Sequence, residues 1–428
     1  MPSRLTSAGT AWFLPWADAR ARIAFDLAAG AVGDFFTLDD PIRGELDGTA
    51  FKLAGDILED VTADVRNITV RRGRSRELER YQAGAATIDL DNSARKYDPG
   101  AGTAITPYGA SMRPRKAITV SANGYLLFAG VVDDWDLDYS LDGDHIASVK
   151  ATDGFVFLAQ QEIQPHTATA GTTGERIIDI LDRSEIAWPA GKRNIDDGIA
   201  TLQADAIGGT ADPKPVNALQ YLQKVDEAEQ GALFISGDGV LTFRDRASLQ
   251  ILTDTKFADD GTGIPFSNIE AAYGSEELRN RVAISRLNGG TATAEDTDSI
   301  AAYGAIDYEL RDTLLADDTQ AQTLADLIVS RYAEPILRID AVEVVLNPLT
   351  DAQVNEVLAL ELGDLVQVVY TPSSIGDAID QFVRLDQIEH SISPSQHRVK
   401  FAFSRGEAVA LVLDSASFGI LDTNTLGF

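Results

Sequence analysis

The sequence predicts a mainly β protein with α+β insertions, in which two β-rich units bracket a smaller mixed middle region. Three observations carry that expectation. From about residue 61 to 160, apolar residues recur with period two, and Asn123-Gly124 supplies a strong hairpin signal. From about 161 to 335 much of the apolar spacing becomes helical. From 336 to 404 the strand pattern returns.

In chain order, the residues before Val61 mix apolar runs with turn residues and show no sustained period. "DVRNITVRRG" (64–73) reads as a strand ending in a glycine turn. "AGAATIDLDN" (83–92) puts Ala86, Ile88 and Leu90 on one face and Thr87, Asp89 and Asp91 on the other, a half-buried strand. Residues 115–139 hold two strands around Asn123-Gly124, and "HIASVKATDG" (145–154) is a third strand after Asp142-Gly143. The unit over 61–160 is therefore a β-meander or small barrel.

Next, Thr172 precedes Glu175 at capping-box spacing, with Ile177, Ile178 and Leu181 on one helical face. "VNALQYLQKVDEAEQG" (216–231) is a second helix, with Leu219, Leu222 and Val225 aligned and Gly231 as its stop. "ALFISGDGVLTFRDR" (232–246) is a hairpin on Asp238-Gly239. "TQAQTLADLIVSRYAEP" (319–335) is a helix ended by Pro335, with Leu324, Leu327, Ile328 and Arg331 aligned. Four strand-like runs follow: "ILRIDAVEVVL", "LALELGDLVQVVY", "QFVRLDQIEHSIS" and "HRVKFAFS". The pairs "FAGVVDDWDLDY…HIASVKAT" and "FVRLDQIEHSIS…HRVKFAFS" share a pattern, a divergent internal repeat.

Composition limits the chemistry. The 428 residues contain no Cys, which excludes a disulfide framework and thiolate metal sites. Lys plus Arg is 36 against 66 Asp plus Glu, a net charge of −30, which argues against tight nucleic-acid binding. We read no signal peptide and no stretch long and apolar enough for a membrane helix. The four histidines, His145, His166, His390 and His397, match no zinc-ligand spacing; His390 and His397 flank a turn and can meet across a hairpin. No G-x-S-x-G elbow, P-loop or Rossmann fingerprint occurs, and no carboxylate pair stands out among the 66 acids. "DLDYSLDGDHIASV" (136–149) has acidic residues at calcium-loop offsets, but Val149 stands where the bidentate Glu belongs, so a hairpin turn is the better reading. No enzyme activity, metal or cofactor is expected.

One stretch departs from the acidic background. "RRGRSRELER" places Arg71, Arg72, Arg74, Arg76 and Arg80 in ten residues. A solvated turn, partly neutralised by Glu77 and Glu79, is the plain reading. The functional reading is a docking elbow, because arginine makes forked contacts with carboxylates and other copies of this chain are rich in them. The terminal "LVLDSASFGILDTNTLGF" (411–428) is apolar enough to require packing, on its own chain or on a neighbour, with Leu413, Phe418, Leu421 and Phe428 as interface candidates.

These landmarks carry a resemblance. "RRGRSRELERYQAGAATIDLDNSARKYDP", "PYGASMRPRKAITV", "LLFAGVVDDWDLDY", "LRNRVAISRLNGG", "DSIAAYGAIDYEL", "ADLIVSRYAEP", "LELGDLVQVVYTP" and the terminal stretch, in that order, resemble minor tail proteins, the tail-tip hub proteins of long-tailed bacteriophages, of the siphophage type with actinobacterial hosts. The resemblance covers roughly 60–428. It implies two tube-like β-barrels with smaller domains between them, assembled as a homotrimer. The implied division is a variable extension over 1–60, a first barrel over 61–160, and an inserted α+β domain over 161–250. A connecting segment with a helix over 251–335, a second barrel over 336–405 and a C-terminal strap over 406–428 follow.

The implied role is a structural virion protein of the tail tip or baseplate. It would continue the tail tube, adapt six-fold to three-fold symmetry, and line the channel for DNA ejection. Its implied partners are itself, the distal tail or tube protein, the tape measure and other minor tail proteins. Double-stranded DNA would pass without specific binding, and the chain would not insert in a membrane. The implied location is the virion, after synthesis in the host cytoplasm. The alternatives are a tail-associated cell-wall hydrolase and a receptor- or carbohydrate-binding tail protein.

Overall fold

Thirteen strands, numbered β1–β13 here in chain order, hydrogen-bond into one sheet in a computed structural model that describes residues 18–25, 58–100, 108 and 111–406. They are β1 (Arg20–Ala24), β2 (Leu58–Asp60), β3 (Val65–Gly73), β4 (Gln82–Asp91), β5 (Ala117–Ala122), β6 (Tyr125–Asp138) and β7 (Ile146–Thr152) in the first half. The second half supplies β8 (Leu252–Ala258), β9 (Asn268–Tyr273), β10 (Leu337–Val345), β11 (Leu365–Tyr370), β12 (Ile379–Ser393) and β13 (Gln396–Arg405).

Local chemistry explains the first half. Ala86, Ile88 and Leu90 of β4 are buried as period two requires. Asn123 and Gly124 both take positive φ, the type I′ requirement, and join β5 to β6. Gly143, also at positive φ, lies in the turn between β6 and β7. That stretch is a hairpin turn, as its strand-like flanks suggested.

The expected internal repeat exists as topology. The first unit has the order β3-β4-β7-β6-β5, and the second has β9-β10-β13-β12-β11. Read as successive strands, both run first, second, fifth, fourth, third, with every neighbour antiparallel. Even the irregularities correspond: β6 shifts register between Val132 and Asp134, and β12 between Leu385 and Gln387. Such bulges bend a strand and are kept as designed features.

The two units are not separate barrels. Among the described residues no barrel closes; instead β3 pairs antiparallel with β12 from Gln387↔Gly73 to Ile392↔Ile68 and fuses both units into the one sheet. The reason is strand length. β12 has 15 residues, but β11, on the edge away from β13, covers only Ile379 to Arg384. The rest of that edge is left for β3, and filling it removes an exposed row of backbone donors and acceptors. Strands also reach beyond the expected barrel segments: β1 and β2 extend the first unit, and β8 and β9 the second.

Helices pack around this sheet. α1 (Phe155–Gln160), α2 (Thr173–Asp182) and α3 (Ala218–Glu229) follow β7, with a small sheet of strands Arg193–Ile195, Ala232–Ile235 and Leu241–Arg244. Thr172 and Glu175 form the expected capping box. Ile177, Ile180 and Leu181 of α2 are buried, whereas Ile178 is turned outward. In α3 the left-handed residue is Gln230, one before the expected Gly231. α4 (Thr297–Tyr303) and α5 (Asp318–Tyr332) accompany strands Arg281–Arg286, Thr291–Glu295 and Asp307–Thr313.

The run "LALELGDLVQVVY" is only partly strand. Its first residues end α6 (Asp351–Ala359), which starts at a capping box of Thr350 and Gln353 and buries Val354, Val357 and Leu358 at helical spacing.

Candidate functional site at the elbow and the strand seam

β3 carries its buried face past the end of the apolar residues. Ile68 and Val70 are buried, and the next residue on that face, Arg72, is equally enclosed. Gly73 then turns the chain at φ +115° over the bulge of β12. A Cβ at Gly73 would lie 2.1 Å from the Asp386 carbonyl oxygen, so only glycine fits. The Arg74 amide donates to that same oxygen at 2.8 Å, locking the elbow onto the second unit.

The side chains complete the lock. Arg74, 7% exposed, donates to Asp386 Oδ1 at 3.0 Å and stacks over the Tyr81 ring at 4.6 Å. The Tyr81 hydroxyl donates to the same carboxylate at 3.2 Å. Arg384 donates to Glu77 Oε1 at 2.9 Å and lies 3.5 Å from Asp386. Two guanidiniums and two carboxylates thus neutralise one another inside the seam, as buried charges must.

Burial alone would raise the Asp386 pKa, but Arg74 and Arg384 outweigh it and hold the carboxyl below its usual value. Burial also opposes the Arg74 charge, and Asp386, Tyr81 and Glu77 overcome it, so its pKa is raised. Burial, with the nearby Glu77, pushes the Tyr332 hydroxyl well above its ordinary value.

The other elbow arginines also find acceptors in their own chain. Arg72 donates to Glu361 Oε1 at 2.6 Å, and Glu361 in turn accepts the Gly237 amide at 2.9 Å. Arg71 donates to Gln387 Oε1 at 3.0 and 2.8 Å. Arg80 pairs with Glu227 at 2.6 Å in a half-buried setting, and Arg76 with Glu276 at 2.9 Å largely in solvent. Four of the five arginines thus meet carboxylates of their own chain and Arg71 a neutral amide; Asp386 and Gln387 are brought there by the pairing of β3 with β12, and Glu361, Glu227 and Glu276 come from other segments. Of the five, Arg72 and Arg74 are enclosed, while Arg76 and Arg80 keep exposed heads. Leu413, Phe418, Leu421 and Phe428 lie outside the described residues.

Sequence reasoning did not identify Asp386, Arg384, Glu77 or Glu361. A signal existed in "VRLDQ": charged residues inside a β-branched run, on a strand buried on both faces from Val383 to Ile388. It did foresee the meeting of His390 and His397, whose Nδ1 and Nε2 lie 3.2 Å apart in the core of the second unit. Burial pushes the His397 pKa down to about 4. Burial first, then His397 and Arg72, pushes His390 well below its ordinary value, so both rings are neutral at pH 7.

Beside the seam opens a cleft of about 480 Å³, lined by both signs of charge, including Arg71, Arg76, Glu276, Glu277, Arg338 and Lys400. Among the described residues no three His, Asp or Glu side chains are grouped to hold a metal. No described helix is long and apolar enough to cross a membrane. The arrangement joins units; it has the features of a built interface.

No protein-family model matches the chain, and no curated protein matches it. Solved structures do. A 43 kDa tail protein of prophage MuSo2 from Shewanella oneidensis superposes with a TM-score of 0.51 at 16% identity, covering 82% of this chain and 97% of that one. A tail protein from Neisseria meningitidis superposes with a TM-score of 0.56 at 10% identity, covering 90% and 96%. At these identities the likeness is one of fold, and it extends over nearly the whole of both known chains.

Proposed function

We propose that the chain is a structural protein of a phage-type tail, a hub at the tail tip that acts by assembly and without covalent chemistry. The observation that carries the reading is the repeated five-strand unit joined through a polar, charge-neutral seam. Two solved tail proteins share the fold over 97% and 96% of their lengths, which supports it. A chain with two like units can present six of them from three copies, and a six-fold tube can then be matched by a three-fold ring. The net charge of −30 suits a channel that must pass DNA, because like charge repels the phosphates and opposes their sticking. The siphophage assignment, the actinobacterial host, the neighbouring tail proteins and the division of the chain into two β units, an insertion and a C-terminal strap belong to this proposal.

Within it, Arg76 and Arg80, which keep exposed heads, and Leu413, Phe418, Leu421 and Phe428 of the strap are the residues offered to neighbours. Arg71, Arg72 and Arg74 act earlier, by joining the two units. Gold-labelled antibody against the chain tests the location. Label confined to one end of the tail supports a tip hub; label along the shaft, or on none of the particle, contradicts it.

A further inference from the structure

The repeat allows the two units to be superposed strand by strand. In β3 and β9 the dipeptides Asn67-Ile68 and Asn268-Ile269 coincide, and the same offset carries Gly73 onto Gly274. In β12 and β6 the matching bulges carry Asp386 onto Asp133, and hence Ile388 onto Trp135 and His390 onto Leu137.

One half of the correspondence is unfilled. The distal edge of β12 receives β3, but the equivalent edge of β6 is covered by β5 only from Tyr125 to Val131. From Asp134 to Asp138 it has no strand partner among the described residues. Likewise β9, the counterpart of β3, pairs only with β10 among the described residues, and no described strand lies on its outer edge. One chain therefore carries a vacant acceptor edge and a vacant donor strand, the two halves of the seam it already makes internally. Among the described residues the two do not meet within one copy: β9 ends the sheet order on one side of the internal seam, and β6 lies on the other side, inside β5, β1 and β2.

We propose that β9 of one copy pairs antiparallel with residues 134–139 of a second copy, reproducing between chains the β3–β12 seam. Transferring the internal register sets Trp135 opposite Tyr273, Leu137 opposite Ala271 and Tyr139 opposite Ile269. The side chains found there favour this. Tyr273 is 70% and Tyr139 49% exposed, and both would be covered. Trp135 holds a buried indole nitrogen with no hydrogen-bond partner among the described residues. Aromatic cross-strand pairs are favourable units of sheet pairing. One opposition is unfavourable, Asp138 against Glu270, but Glu270 already pairs with Lys400 at 2.7 Å, which softens it. Because donor and acceptor are different surfaces, the contact is head-to-tail, and it closes into a ring when the rotation per chain allows.

This deepens the hub reading by naming the contact between copies. The chain has no cysteine, so a pair can be introduced cleanly. Asp136→Cys with Ala272→Cys places thiols on directly opposed positions, where Cα separations of about 4.5–5.5 Å suit a disulfide. Oxidation of the double variant over a range of concentrations should give covalent multimers ending in one closed species on a non-reducing gel, and each single variant should give no multimer larger than a dimer. As a control on folding, Tyr273→Asp should retain the parent's melting temperature and lose the multimers seen by native mass spectrometry. If the double variant assembles by native mass spectrometry yet forms no disulfide-linked multimers, the pairing is wrong and the ring reading stands on another surface. If neither assembly nor cross-linking occurs at any concentration, both fall.

Discussion

Arg74 and Arg76 stand two positions apart in sequence and do different work. Arg74 is enclosed against Asp386, whereas Arg76 meets Glu276 with both side chains more than half exposed. Replacing Arg74 with Ala leaves a buried carboxylate without its closest partner, and we expect a loss of about 3–5 kcal/mol in urea unfolding. Arg76→Ala should change stability by less than about 1 kcal/mol. Equal effects would mean that the seam does not depend on its buried pair.

The ionisable core groups give a second test, with two opposite signs. His397 has a folded pKa of about 4, below the unfolded value of about 6.5. The unfolded chain therefore binds more protons between those values, and this contribution to stability falls as pH drops from about 6.5 toward 4. Asp226, enclosed on α3, runs the other way. Burial lifts its pKa to about 7, so it destabilises progressively as pH rises from about 4 to 7. Asp226→Asn should thus gain stability relative to the parent between pH 4 and 8. His390→Gln/His397→Gln should flatten the parent's acid loss below about pH 6.5. Melting temperatures across this range read both.

At the scale of elements, much was legible. Period two in β4, the Asn-Gly turn between β5 and β6, and the Thr172–Glu175 box before α2 are local signals, and local structure obeys them. Thr172→Ala should cost about 1 kcal/mol in thermal or urea unfolding, since it removes one capped amide and half of a reciprocal box. α6 was missed because three apolar residues in "LAL" suit either a strand or a helix end; Thr350 and Gln353 carried the deciding signal. The β3–β12 pairing was not legible, because nothing local marks which strand, roughly 300 residues away, will fill an open edge. Gly73 records it indirectly. Its backbone conformation and the close approach of Asp386 exclude a side chain, so Gly73→Ala should lower the melting temperature by several degrees, whereas Gly124→Ala meets no atom within 4 Å and should cost only the strain of its turn.

For the whole molecule, the repeat changes what the two β units are. The pattern of the sequence suggested separate barrels at either end of a mixed middle. The structure makes them two equivalent segments of one sheet, already fused by a seam whose charges cancel. The elbow that looked like a docking loop is spent mainly inside the chain. The unfilled edges of β6 and β9 then become the surfaces on which a further copy can continue the same sheet.

Cryo-electron microscopy of a tail containing the chain tests this account most directly. A reconstruction of the tip should contain three copies around the axis, their six repeated units lining one channel, with β9 of each copy beside β6 of the next. A map with six copies, or with only one unit per chain facing the channel, would contradict it.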